Sequence, residues 1–165
     1  MDWIIVSLIY SGVISVLLYF NFCRLSGTYF RWYCGLSYAV VSCGLIACQS
    51  TIGIGAVMYV FLGILLLSAC GALFQKCKFA EAFALSSLVI SIHSIADGMM
   101  QSFIYWILSL INVKFALMCA DFVRYSSVIL LLIFTFHIVG KFFSGSVKNV
   151  HSSILLVLVI PILFI

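Results

Sequence analysis

Polar residues recur on one face of an apolar stretch in the middle of the chain. His93, Asp97 and Gln101 follow one another at intervals of four residues, and Ser86 lies two turns before His93. Residues spaced in this way share one face of an α-helix. Ionisable groups are costly inside a membrane, where they normally face a bundle interior or a watery cavity and mark functional sites. The stretch is therefore the first candidate for a binding site.

A second charged pair, Asp121 and Arg124, opens a later apolar stretch, where Arg124 could reach Asp97. We predict an outward-facing pocket that recognises a ligand through His93, Asp97, Gln101, Asp121 and Arg124. A structural alternative stays open. In that reading Asp121 and Arg124 cap a helix end at the membrane interface, while His93 and Asp97 satisfy each other inside the bundle.

No pattern in the chain predicts a catalytic centre. H-E-x-x-H, G-x-S-x-G, Walker and D-x-D motifs are absent, and the four acidic residues are far apart. No two of the seven cysteines have the C-x-x-C spacing of metal or redox sites, so we expect small apolar packing residues. The sequence thus predicts no catalytic residue, no metal and no cofactor. The cysteines are Cys23, Cys34, Cys43, Cys48, Cys70, Cys77 and Cys119.

Composition determines the fold class that positions these residues. Of 165 residues, 66% are hydrophobic and only 7% charged, and the mean hydropathy is +1.35. This balance excludes a water-soluble globule. At about 20 residues a span, the chain has room for about six or seven crossings. We predict one all-α domain over residues 1–165, a polytopic transmembrane helix bundle of about six helices.

Apolar runs between charged or polar residues predict where the helices lie. Tyr105 and Trp106 follow the fourth helix and would suit an interfacial segment. The last helix would span only about 21 Å, short of the roughly 30 Å hydrocarbon core, so we predict the amino-terminal part of a longer protein. The helices are expected near residues 3–22, 32–49, 53–74, 79–103 and 121–140, and from 152 onward.

The basic residues predict the orientation of the bundle. With these helices, Lys114 and Arg124 fall on one side and the other six basic residues on the opposite side. Positive charge favours the cytoplasmic side, so the amino terminus is expected outside a cell membrane, with membrane lipid as a partner. Separated basic turns form no stripe, which argues against nucleic acid. The six residues are Arg24, Arg31, Lys76, Lys78, Lys141 and Lys148.

Small residues recur at the spacing that lets helices pack closely in lipid. Ser7, Ser11 and Ser15 form such a row in the first helix, and Gly44 with Cys48 forms another in the second. Gly63 and Gly71 add close-approach points in the third. Close backbone contact stabilises helix pairs in lipid, so we predict that these residues serve packing.

The layout of turns and end segments also resembles a known family. Gly71-Ala-Leu-Phe-Gln-Lys precedes Phe79-Ala-Glu-Ala-Phe, and the chain closes on Leu156-Val-Leu-Val-Ile-Pro-Ile-Leu-Phe-Ile. Nearly the whole chain resembles the membrane sensor region of peptide-responsive GHKL-type histidine kinases, the Agr and competence receptors of Firmicutes. The resemblance implies a bacterial quorum-sensing receptor of a two-component system. Such a receptor binds an extracellular peptide and signals to a cytoplasmic kinase that forms a homodimer.

The kinase itself has no counterpart in these residues. Its phosphoacceptor histidine and ATP-binding boxes are missing, so His137 and His151 do not receive that role. Six helices with an external amino terminus leave the carboxyl end outside. The resemblance therefore implies one further helix after Ile165.

Two other classes of protein suit the same residues. Six helices in 165 residues also fit a small substrate-binding subunit of a transporter, such as the S-component of a vitamin-uptake system. Its polar face would bind a small molecule. A membrane-bound protease would need a cysteine close to a histidine, for which His93 with Cys70 or Cys119 is the pairing considered.

Overall fold

The fold is described by a computed structural model over residues 2–52, 56–111 and 116–143. These residues are helical apart from the short loops at 27–31 and 76–78, as the composition predicts. Five helices follow one another, whereas the predicted sixth helix, from 152 onward, lies outside the described residues. The helices are α1 (Asp2–Ser26), α2 (Trp32–Ile52), α3 (Ala56–Gln75), α4 (Phe79–Ile111) and α5 (Ala116–Phe143).

Three of the five helices are long and apolar enough to cross a membrane. Within the described ranges these spans are Ser7–Ser26, Met58–Gln75 and Phe79–Ile107. Shorter apolar stretches, Trp32–Ala47 and Val123–Ile138, lie in α2 and α5. The described chain is thus an all-helical bundle with three candidate membrane spans.

Helix α4 extends farther than the sequence predicts. Its expected end near residue 103 is wrong, because the helix runs without a break to Ile111 over 33 residues. At 1.5 Å per residue it is about 50 Å long, more than the roughly 30 Å of hydrocarbon. No proline interrupts the apolar residues after 103, so nothing ends the helix there. Tyr105 and Trp106 are therefore exposed residues of α4 and do not form a separate interfacial segment.

The loop after α1 begins with a glycine that ends the helix. Gly27 has a φ of 68°, in the left-handed region that glycine adopts without strain. The Thr28 amide donates to the Cys23 carbonyl at 2.9 Å, and the Gly27 amide donates to the Arg24 carbonyl at 3.4 Å. This is a Schellman motif, which satisfies the last carbonyls of the helix. It turns the chain back toward α2.

The helices run alternately up and down, and α1 packs against each of the other four. Short loops connect α1 with α2 and α3 with α4, which places loops 27–31 and 76–78 at one end of the bundle. The exposed side chains of Arg24, Arg31 and Lys76 lie at this end, which we call the basic end. The amino-terminal halves of α1, α3 and α5 lie toward the opposite end.

The half of the bundle near the basic end is a packed core. Tyr19 and Phe22 of α1 are fully buried there, together with Leu67 of α3. Gly71 makes room for Phe22, because a Cβ at Gly71 would lie 2.9 Å from Phe22 Cε1 and closer still to Cζ. Glycine thus permits the close approach of α1 and α3, as its spacing predicts. Gly44 does not do the same, since it is exposed and has nothing within 4 Å of such a Cβ.

Gln75 connects the two loops of the basic end. Its side-chain amide donates to the Tyr19 hydroxyl at 2.7 Å and to the Tyr29 carbonyl at 3.1 Å. These bonds join the end of α3 to α1 and to the loop that follows α1. They hold the basic end together across more than 40 residues of sequence.

We expect Gln75→Leu to lower the free energy of unfolding by about 1–3 kcal/mol, because it leaves the hydroxyl of the buried Tyr19 and the Tyr29 carbonyl without this donor. Thermal unfolding in detergent micelles measures the change. Ser37→Ala is the matched control, since Ser37 is exposed and donates to the Tyr33 carbonyl of its own helix. If the two variants are equally stable, the Gln75 hydrogen bonds contribute nothing to the stability of the protein.

Candidate functional site

A cavity of about 590 Å³ lies between all five helices, in the half of the bundle away from the basic end. We call it the five-helix cavity. Its apolar wall contains Ile14, Leu18, Leu45, Ile46, Val60, Gly63, Ile90 and Gly98. Its polar wall contains Ser7, Tyr10, Ser11, Ser15, Tyr38, Ser42, Tyr59, His93, Ser94, Asp97, Gln101, Arg124 and Tyr125.

An ion pair between α4 and α5 forms part of the polar wall. Arg124 Nε donates to Asp97 Oδ1 at 3.0 Å, and Nη2 donates to Oδ2 at 2.6 Å. The two side chains remain 21% and 29% exposed. Bidentate arginine–carboxylate pairs are strong and fix the geometry of both groups. The pair therefore ties α4 to α5 beside the cavity, as the sequence predicts.

Two tyrosines stack next to this ion pair. The rings of Tyr10 and Tyr125 have centroids 3.9 Å apart and planes inclined by 20°. Stacked aromatic pairs add about 0.5–1.5 kcal/mol beyond the area that they bury. The stack joins α1 to α5. Together with the ion pair, it connects α4, α5 and α1 beside the cavity.

Two buried polar atoms on the cavity wall have no hydrogen-bond partner within the described part of the protein. They are the Tyr10 hydroxyl and His93 Nδ1. A buried polar atom without a partner costs about 1–3 kcal/mol. The structural alternative requires His93 and Asp97 to satisfy each other. Instead, both Asp97 oxygens accept hydrogen bonds from Arg124, and His93 Nδ1 has no partner among the described residues. Both orphaned atoms can form a hydrogen bond with a bound molecule, either as donor or as acceptor.

The serine row of α1 faces the cavity as well as a neighbouring helix. Ser11 and Ser15 are buried, and together with Ser7 they line the cavity wall. Ser11 also lies 4.0 Å from the Cys43 sulfur of α2. The row thus contributes to the contact between α1 and α2, as predicted, but packing is only part of its role. It supplies hydroxyls to the cavity.

The structure brings most of the predicted site residues to the cavity. His93, Asp97, Gln101 and Arg124 line it, whereas the side chain of Asp121 lies outside the described part of the chain. Ser86 was expected on the same polar face but is fully buried away from the cavity wall, with its hydroxyl unpartnered.

Four tyrosines on the cavity wall were not predicted from the sequence. Tyr10, Tyr38 and Tyr59 come from α1, α2 and α3, and Tyr125 comes from α5. A tyrosine in an apolar helix does not stand out from tyrosines at a membrane interface. Tyr10 lies one turn after Ser7 and before Ile14, so its position on the serine face was the available signal.

None of the cysteines whose side chains are described lines the five-helix cavity with His93. Cys23, Cys34 and Cys70 are buried, and Cys70 does not line the five-helix cavity. Cys48 and Cys119 have side chains outside the described set. Among the described residues, no group of three histidine, cysteine or acidic side chains could hold a metal ion. Of the two expected pairings, His93 with Cys70 can be examined, and no described interaction joins these two side chains.

The chain matches no protein-family model, no curated protein and no solved structure. The likeness to sensor histidine kinases rests on the sequence layout alone and stays a prediction.

Proposed function

We propose that the protein is a multi-pass membrane receptor that binds an extracellular signal in the five-helix cavity. The observation that carries this proposal is the cavity of about 590 Å³ to which all five helices contribute. Pockets of 300–1,000 Å³ with a mostly apolar wall and a few fixed polar groups are typical of small-molecule sites. A ligand bound there would touch every helix and change how the helices pack.

The contacts around the cavity provide a route for the signal. The ion pair joins α4 to α5, and the Tyr10–Tyr125 stack joins α5 to α1. α1 continues to the basic end, where Tyr19 and Gln75 join it to α3. A ligand that binds one helix arrangement better than another shifts the population toward it. On this proposal, the shift reaches a cytoplasmic signalling domain, as in the kinases that the sequence resembles, with a homodimer as the signalling unit.

The proposal is tested with Tyr10→Phe, which removes only the orphaned hydroxyl. The protein in lipid nanodiscs is titrated with fractions of conditioned medium from its own host, and thermal stabilisation is measured. We expect Tyr10→Phe to unfold at no lower temperature than the wild type, because it deletes an unsatisfied buried group. We also expect it to require about two- to tenfold more of the active fraction, since one hydrogen bond contributes about 0.5–1.5 kcal/mol.

Tyr29→Phe is the matched control, because Tyr29 is exposed at the basic end, away from the cavity. It should respond like the wild type. Stabilisation that is identical in all three proteins would place the binding site elsewhere, and no stabilisation by any fraction would count against a receptor of a secreted signal.

The second candidate is a substrate-binding transporter subunit, which the size of the cavity favours. A volume of 590 Å³ encloses a small molecule but not a long peptide. The two functions differ in what happens to the ligand. Ligand-dependent accumulation inside proteoliposomes with a transport ATPase indicates the subunit, whereas binding without accumulation indicates the receptor.

The proposed orientation places the basic end inside the cell and the cavity in the outer half of the membrane. Cys77, in the loop between α3 and α4, reports on it. A membrane-impermeant maleimide should label Cys77 only after the cells are permeabilised, as resolved by peptide mass spectrometry. Labelling of Cys77 in intact cells would reverse the orientation.

The pH at which Cys77 is labelled follows from its surroundings. Burial raises the pKa of the Cys77 thiol, and the Glu81 carboxylate raises it further. Because the thiolate is the reactive form, labelling should be slow at neutral pH. Its rate should continue to rise above about pH 8.5, where an ordinary cysteine is half ionised.

A further inference from the structure

The charges on the wall of the five-helix cavity limit what it can bind. Asp97 and Arg124 are the charged residues among those described there, and they neutralise each other through two hydrogen bonds. The part of the cavity wall that the structure describes therefore has no net charge when His93 is neutral. A charged ligand would find no counter-ion among the described wall residues, so the cost of its desolvation would not be offset there.

A zwitterionic ligand would meet a different obstacle. Among the described wall residues, Arg124 and Asp97 are the charged groups that could neutralise its carboxylate and ammonium groups. To reach them it would break a bidentate pair whose bonds are 3.0 and 2.6 Å long. Breaking it would also release the tie between α4 and α5. An uncharged ligand leaves the pair intact.

The remaining polar groups suit an uncharged ligand with both donors and acceptors. Serine and tyrosine hydroxyls can both donate and accept a hydrogen bond, and five serines and three tyrosines from α1 to α4 line the wall, at positions 7, 10, 11, 15, 38, 42, 59 and 94. Of these hydroxyls, that of Tyr10 lacks a partner among the described residues, and so does Nδ1 of His93. The aliphatic wall around Ile14, Val60 and Ile90 would cover an apolar part of the same molecule.

We propose that the five-helix cavity selects an uncharged, amphipathic small molecule, or an uncharged part of a larger one, and rejects carboxylates and ammonium groups. This inference rests on the proposed function, because it names the class of ligand for the same site. It predicts how the cavity discriminates between probes of different charge.

The test measures how fast a cysteine on the cavity wall reacts with three methanethiosulfonates in nanodiscs. The reagents carry hydroxyethyl, trimethylammonioethyl or sulfonatoethyl groups, so they are neutral, cationic and anionic. Ser15→Cys and Ser42→Cys supply two independent positions, and peptide mass spectrometry separates them from the native cysteines. Tyr29→Cys is the reference, because Tyr29 lies in the loop after α1, away from the cavity, and is 89% exposed.

Relative to a free thiol and to Tyr29→Cys, the neutral reagent should react about tenfold or more faster than both charged reagents. Only the charged reagents must be desolvated beside described wall residues that offer no counter-ion. Adding Arg124→Gln leaves Asp97 unpaired and should shift the preference toward the cation. Adding Asp97→Asn should shift it toward the anion. These second substitutions are assayed well below their unfolding temperatures.

Each result decides a different point. Charged reagents that react as fast as the neutral one at both positions would overturn the selectivity and leave the proposed function standing. A preference that neither second substitution changes would also overturn it, because the ion pair would then not set the charge of the wall. No reaction with any reagent would show that the cavity admits no molecule and would contradict the proposed function itself.

Discussion

Arg124→Gln is expected to lower the free energy of unfolding by about 2–3 kcal/mol, somewhat less than the 3–5 kcal/mol typical of a fully buried pair. The substitution leaves Asp97 partly buried with no cation, and it releases α5 from α4. Asp97→Asn should have an effect of similar size for the converse reason. Thermal or denaturant unfolding in micelles measures both.

The double variant Asp97→Asn with Arg124→Gln separates pairing from simple damage. It should be more stable than either single variant, because no unpaired charge remains. Arg31→Gln serves as the control for loss of an arginine, since Arg31 is exposed at the basic end, and its unfolding should match that of the wild type. A double variant whose loss equals the sum of the single losses would show that the two groups do not interact.

Gly71→Ala is the second substitution with a large expected effect, a loss of about 1–3 kcal/mol from overpacking. The added methyl group would meet the buried ring of Phe22 and, at 3.2 Å, the Cβ of Ala82. Neither neighbour can move easily, because Phe22 and Ala82 are both fully buried. The unfolding temperature in micelles gives the measurement.

Gly44→Ala is the matched control, because it makes the same change on an exposed helix face with nothing within 4 Å. It should leave stability unchanged or raise it slightly, since alanine favours helix more than glycine does. Phe22→Leu should recover part of the loss in the Gly71→Ala protein. If Gly71→Ala unfolds like the wild type, α1 and α3 do not approach as described.

The described helices could be predicted because each apolar run is bounded by charged or polar residues. Loop 27–31 contains Gly27 and Arg31, and loop 76–78 contains two lysines. The end of α4 could not be placed, because apolar residues continue to Ile111 and local sequence contains no signal that ends the helix. The terminal turns of α1 and α5 extend beyond the predicted bounds for a different reason, because Arg24 and Lys141, which were expected to lie outside these helices, are part of them.

The candidate site could be predicted in part. Charges in an apolar helix are conspicuous, so Asp97 and Arg124 were recognised along with their pairing. Hydroxyls are not conspicuous, because serine in a membrane helix serves packing as often as binding. Whether Ser15 faces a cavity or a neighbouring helix depends on how five helices pack together. That arrangement is a property of the fold and is not encoded within any one helix.

Native mass spectrometry tests most directly the central claim that a ligand occupies the five-helix cavity. Cells are exposed to conditioned medium, and the protein is released gently from the membrane. Ser94 lines the cavity and is exposed, so there is room for a larger side chain at this position. The side chain introduced by Ser94→Trp should therefore fill the cavity. Ser102→Trp makes the same change on α4 away from the cavity wall.

We expect one added molecule of defined mass on the wild type and on Ser102→Trp, and none on Ser94→Trp. A molecule retained equally by all three proteins, or by none, would contradict it.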